Sequence, residues 1–238
     1  MPISLGYEEN FRSANRKRMI DHFLTLKEPS EGYYMDRGSK FLSFAFPIEN
    51  EAEAIAIVQK IRKANSKARH FCTAWRIFPD ASLERSADDG EPSGSAGKQI
   101  LGQLVKHDLT NVMIVVVRYF GGTKLGIPGL IEAYKTSAAN AILDENIIER
   151  KVLSKVHFRM KHEAYPKFMN YCKQAGIPIL KESFDEKADF ILCFNKSDTE
   201  KETIKALKEY SMMDFLKIED YLTYLEMTVE FLPDSIIV

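Results

Sequence analysis

The residues best suited to chemistry crowd into one stretch, Ala87-Asp88-Asp89-Gly90-Glu91-Pro92-Ser93-Gly94-Ser95-Ala96-Gly97-Lys98. Asp88, Asp89 and Glu91 are residue types that hold a hard cation such as Mg²⁺ or Ca²⁺, or work as general acid and base. The same carboxylates also cap turns and helix starts, or pair with Arg85 and Arg118. EF-hand spacing is absent. His70, beside Arg69, is either a general base or a polar residue at the edge of a strand. Ser86, Ser93 and Ser95 lie close by, but no nucleophile-elbow pattern surrounds them. No catalytic residue and no metal site is assigned from these residues.

Two glycine-rich segments flank predicted elements. Gly90, Gly94 and Gly97 precede or open a helix, while Gly121, Gly122, Gly126 and Gly129 follow an aliphatic strand and precede another helix. Glycine permits close backbone approach, and the free N–H groups of a helix start attract anions. With Lys98, Arg118 and Lys124 supplying charge, the pair of loops reads as an anion or phosphate cradle; alternatively, the glycines only build tight turns. Tyr119 and Phe120 are either stacking platforms for bases or core and rim aromatics. The nucleotide fingerprints fail: a Walker loop ending at Gly97-Lys98 would need glycine at Pro92 and Ser or Thr at Gln99, and Thr123 interrupts the dinucleotide pattern. No cofactor is expected.

The elements that must position these residues follow from periodicity. Residues 39–46 alternate and are rich in aromatics, which predicts a strand ended by Pro47. Residues 49–64 have helical spacing, with acids early and bases late. Strands are predicted at 70–78 and 82–86, a helix at 96–107, a strand buried on both faces at 111–118, and a helix at 130–145. The remainder reads as strand 152–160, helix 162–174, strands 177–183 and 188–195, helix 199–210 and an extended segment 215–231. That βαββαβ order is the ferredoxin-like arrangement.

The chain has 238 residues, 45% of them hydrophobic, enough for two domains with their own cores. Residues 1–150 hold 20 Lys and Arg against 19 Asp and Glu, and residues 151–238 hold 13 against 15. Neither half is a bulk polyanion binder, so any nucleic-acid contact needs a local patch. Cys72, Cys172 and Cys193 show no zinc spacing and fit a reducing compartment, hence the cytoplasm. The longest aliphatic run, 112–117, is far too short to span a bilayer. Residues 1–20 read as a flexible leader, with Met19 an alternative start.

Together, Ser86-Ala87-Asp88-Asp89-Gly90-Glu91-Pro92-Ser93-Gly94-Ser95-Ala96-Gly97, Leu109-Thr110-Asn111-Val112 and Val115-Val116-Val117-Arg118-Tyr119-Phe120-Gly121-Gly122-Thr123-Lys124-Leu125-Gly126 resemble the signature of the IMPACT (YigZ-like) family. Glu31-Gly32, Gly38-Ser39-Lys40-Phe41 and Ala68-Arg69-His70 extend the resemblance, which is strongest over residues 27–146. It implies an α+β chain with a ribosomal-protein S5 domain-2-like domain over 21–148. It also implies a ferredoxin-like domain over 149–238, similar to the last domain of elongation factor G. Three positions depart from the family pattern: Phe71 where a second histidine is common, Gln99 where proline is usual, and Pro128 where a small residue is usual.

Both folds are typical of translation factors, and the family's eukaryotic members modulate translation by binding a ribosome-associated activator of a starvation-sensing kinase. The expected function is therefore translation-associated binding of RNA, the ribosome or a ribosome-associated protein. The expected surface comprises His70, Asp88, Asp89, Gly90, Glu91, Gly94, Gly97, Lys98, Arg118, Tyr119, Phe120, Gly121, Gly122, Lys124 and Gly126. On that expectation, Arg118→Ala weakens association without changing the melting temperature. The alternatives are a hydrolase or transferase, whose carboxylates would converge on one point, and an adaptor whose ferredoxin-like domain docks a partner or a second copy.

Overall fold

A computed structural model describes residues 20–211 and 227–238. The leader expected over 1–20 lies, Ile20 apart, outside the described residues, as does the 215–226 part of the last extended segment. The chain divides into two compact units. One is His22–Val152 with Ile237–Val238; the other is Leu153–Ile236 with Asp21.

The first unit holds strands β1 (His22–Leu26), β2 (Ser30–Asp36), β3 (Ser39–Pro47), β4 (His70–Ile77), β5 (Leu83–Ala87) and β6 (Val112–Tyr119), and helices α1 (Glu51–Ala64), α2 (Gly97–Lys106) and α3 (Gly126–Asn140). An antiparallel sheet runs in the order β2-β3-β6-β4-β5. The helices α2 and α3 cover one face, where Ile100, Leu104, Leu130 and Tyr134 pack on Phe41, Cys72 and Val116. On the other face, α1 sets Ala54 and Ile61 against Phe71, Val115 and Val117. A central strand between two helical layers has no solvent side, which is why β6 is aliphatic without alternation.

Asn50 caps α1 by accepting from Glu53 N (3.0 Å), and Glu53 in turn accepts from Glu49 N (2.9 Å). The helix therefore starts in acids and finishes in Arg62 and Lys63. Two strands escaped the sequence patterning. β1 pairs with the start of β7 (Ile147–Met160), and β2 forms a hairpin with β3. Arg37 and Gly38 turn that hairpin with φ of 42° and 79°, as a two-residue type I′ connection needs. The helix expected at 130–145 instead begins at Gly126 and stops at Asn140, before a 3₁₀ turn (Asp144–Asn146). Pro128 falls in its first turn, where a missing N–H costs nothing.

The second unit continues β7 into α4 (Tyr165–Gln174), β8 (Ile179–Phe184), β9 (Ala188–Asn195), α5 (Thr199–Ser211) and β10 (Thr228–Ile237). Its strands lie in the order β10-β7-β9-β8, and its core stacks Phe158 on Phe190 with Phe168, Cys172 and Leu192 around them. The α+β class and the βαββαβ order expected for this region are both present.

Candidate functional site

The loop after β5 folds around its own carboxylate. Asp88 Oδ1 accepts from Ala96 N (3.0 Å) and Gly97 N (2.8 Å), and Oδ2 accepts from Gly94 N (2.8 Å). These amides form the anion cradle at the start of α2, and the anion in it is Asp88. Gly97 is required by packing: a Cβ there would come within 2.7 Å of Ala87 N. Gln99 Nε2 donates to Gly94 O (2.9 Å), closing the loop from the helix side.

The other two carboxylates turn elsewhere. Asp89 Oδ1 takes Arg62 Nη2 (2.6 Å), its Oδ2 takes Phe71 N (2.7 Å), and its carbonyl takes His70 Nδ1 (3.0 Å). Phe71 lies under the Arg62 guanidinium, 4.5 Å from the ring centre. Glu91 points inward, where its Oε1 accepts from Arg118 Nη1 (2.6 Å) and from the Tyr134 hydroxyl (2.9 Å). Burial pushes the Tyr134 hydroxyl and the Cys72 thiol upward, and the nearby Glu91 charge acts in the same direction on both. Cys72 Sγ donates to the Asp88 carbonyl (3.0 Å), so the same loop also covers this thiol. The three carboxylates thus diverge, whereas a hydrolase or transferase built on them would need them to converge. Among the described residues, no three His, Cys, Asp or Glu side chains gather as a metal site would.

Arg118 changes meaning in the structure. It is 6% exposed and ion-paired, and its Nε has no hydrogen-bond partner among the described residues. Its guanidinium lies 5.5 Å from the Phe41 ring centre and 5.6 Å from that of Phe120. Removing it would strand a buried carboxylate, so Arg118→Ala is a stability variant, contrary to the sequence-based expectation.

The second glycine loop is built in the opposite sense. Tyr119 turns into the α1 layer and donates to Asn65 Oδ1 (2.8 Å), so it is rim and core. Phe120 is 58% exposed, and Gly121, Gly122, Lys124 and Gly126 follow it on the surface. Gly121 N donates to Ser39 Oγ (3.2 Å), and a Cβ on Gly121 would run into Gly38 C and Ser39 N. Its glycine therefore answers a close approach to the β2–β3 turn; positive φ belongs to Gly122 and Gly126.

These contacts bring His70, Gly90, Glu91, Arg118 and Phe120 to one end of the sheet, with Lys98 exposed at the start of α2. They also bring residues that sequence patterning missed. Lys40 pairs in register with Tyr119, the Arg37-Gly38 turn abuts Gly121, and the end of α1 with the following loop delivers Lys63, Lys67 and Arg69. A cleft of about 510 Å³ lies at the other end of this unit, among Thr25, Lys27, Glu49, Glu53, Asn111 and Arg150. None of the expected site residues lines it.

A chain of two α+β units with this glycine-rich end has counterparts among known proteins. A solved structure described as a hypothetical protein superposes with a TM-score of 0.60 at 23% identity, covering 90% of this chain and 97% of that one. The Impact N-terminal domain matches residues 37–142. The IMPACT family member YvyE of Bacillus subtilis is 30% identical over 91% of this chain and its own full length. The family member YigZ of Escherichia coli is 38% identical over 48% of this chain and 56% of its own. The chain belongs to the IMPACT family.

Proposed function

We propose that this chain is a cytoplasmic, translation-associated regulatory factor that works by binding, through the end of the first unit that carries Phe120, Gly121, Gly122 and Lys124. The role in translation follows what resemblance to the family implies. The observation that carries the binding surface is Phe120: a large apolar ring left 58% exposed at the mouth of a loop whose neighbours are glycines and a lysine. Single exposed apolar residues are ordinary. This one is distinguished by its setting, with a buried arginine beneath it and cations around it. The separation of Asp88, Asp89 and Glu91 into three structural bonds removes the grouping that a hydrolase or transferase would use.

The test is co-sedimentation of the full chain with ribosomes at low and moderate salt, comparing the wild type with Phe120→Ala/Lys124→Ala. Both side chains are on the surface, so the variant's stability is expected to change by less than about 0.5 kcal/mol. Wild-type pelleting that salt weakens and the variant loses is the expected result. Equal pelleting of the two proteins would remove this surface from the function.

A further inference from the structure

Building on the proposed binding end, we infer that its ligand is a single strand of RNA, held by its phosphates along a band of exposed cations with a base stacked on Phe120. The charges on this end are unequal. The β2–β3 turn, the end of α1 with its loop, the Asp88 loop and the Phe120 loop carry Arg37, Lys40, Arg62, Lys63, Lys67, Arg69, Lys98, Arg118 and Lys124. Against these stand Asp36, Asp88, Asp89 and Glu91. Three of the four acids are consumed internally: Asp88 by the α2 amides, Asp89 by Arg62, and Glu91 by Arg118. What faces solvent is Arg37, Lys40, Lys63, Lys67, Arg69, Lys98 and Lys124, with Asp36 alone in opposition. Near-neutrality of the whole N-terminal half therefore conceals a positive end.

The layout selects the ligand. The cations lie on both sides of the sheet end: Lys40, Lys63, Lys67 and Arg69 toward the α1 layer, Lys98 and Lys124 at the starts of α2 and α3. A band of this kind suits a linear polyanion better than a single phosphate does. Phe120 stands at the same sheet end, its ring centre 5.6 Å from the Arg118 guanidinium. An acidic peptide would satisfy the lysines but offers no π-face at regular intervals, whereas every nucleotide of an unpaired strand offers one. Duplex RNA hides its faces in the stack and leaves Phe120 without a partner.

The experiment is fluorescence anisotropy of the full chain with a labelled oligouridylate across a salt series, with ribosome co-sedimentation on the same preparations. Affinity should fall with salt, and Lys67→Ala and Lys124→Ala should each lower the log–log slope by about 0.7. Phe120→Leu should weaken binding by about five- to 150-fold, while Phe120→Tyr retains it. A Lys106→Glu control, at the C-terminal end of α2, should leave affinity unchanged. Duplex RNA binding as tightly as the single strand, polyglutamate competing as well as RNA, or an unaffected Phe120→Leu would each overturn the inference. Ribosome pelleting without oligonucleotide binding would sink it and leave the proposed function standing with a protein ligand; absence of both would remove both.

Discussion

Two glycine loops of similar composition lie at the same end of one sheet, and they do opposite things. The Asp88 loop is closed: its amides hold Asp88, its Glu91 is buried against Arg118 and Tyr134, and it covers Cys72. The Phe120 loop is open, exposing an aromatic ring, two glycines and a lysine. Glycine content alone does not decide which loop binds. What decides is whether a side chain of the protein already occupies the donors. A cradle filled by its own aspartate is a structural cap, and the charge available for a ligand is what remains after such internal pairing.

The sharpest way to break this contrast is at the buried pair. Arg118→Ala should cost about 3–5 kcal/mol in denaturant unfolding, because Glu91 keeps its burial and loses its countercharge. Replacing both partners, Arg118→Met with Glu91→Leu, should recover much of that loss. A surface role for Arg118 would instead leave both variants near wild-type stability.

Asp88→Ala comes next, at about 2–4 kcal/mol, since three charge-assisted bonds and the cap of α2 disappear together. Thermal melting in phosphate and in chloride sharpens the point. If the emptied cradle takes up an external anion, phosphate should restore part of the lost stability in the variant and do little for the wild type. Gly121→Val should cost about 1–3 kcal/mol through collision with Gly38 and Ser39, an overpacking effect independent of φ. A wild-type midpoint would show that the two turns are not in contact.

Alkali acts more gently. Burial raises Cys72 above its ordinary value of 9.0, so the folded state keeps a proton that the unfolded chain releases. The unfolded state then binds fewer protons, and stability falls as pH rises above about 9, by roughly 1.4 kcal/mol per pH unit for this one group. The contribution is fully present at neutral pH. Cys72→Ala should flatten that alkaline slope in urea midpoints taken between neutral pH and pH 10, and an unchanged slope would contradict the burial of the thiol. Cys172, pushed up to about 12 by burial, keeps a slope of the same size in the variant, so the change read out is the share of one thiol.

Much of this architecture is legible in the chain. The uninterrupted aliphatic run of β6 announced a strand covered on both faces, and the acids and bases of α1 gave its direction. β2 was not legible, because Ser30-Glu31-Gly32-Tyr33-Tyr34-Met35-Asp36 carries a glycine and no β-branched residue, and it becomes a strand by pairing with β3. The start of α3 was misplaced because Gly126-Ile127-Pro128-Gly129 looks like a loop until the first-turn tolerance for proline is applied. For the site, residue types pointed to the correct loops, but not to their roles. Whether Asp88 serves a ligand or a helix start depends on how the chain folds back by eight and nine residues. The cationic band is assembled from positions 37, 40, 63, 67, 69, 98 and 124, which no sequence window contains, and the balance of charge over residues 1–150 hides it.

The contrast between the closed and the open loop is tested most directly by backbone amide exchange, read residue by residue in the full chain. The amides of Gly94, Ala96 and Gly97, held by Asp88, should exchange slowly, and those of Gly122, Thr123 and Lys124 should exchange near the rate of an unstructured chain. Comparable protection in both loops, or fast exchange at Gly94, Ala96 and Gly97, would contradict the account.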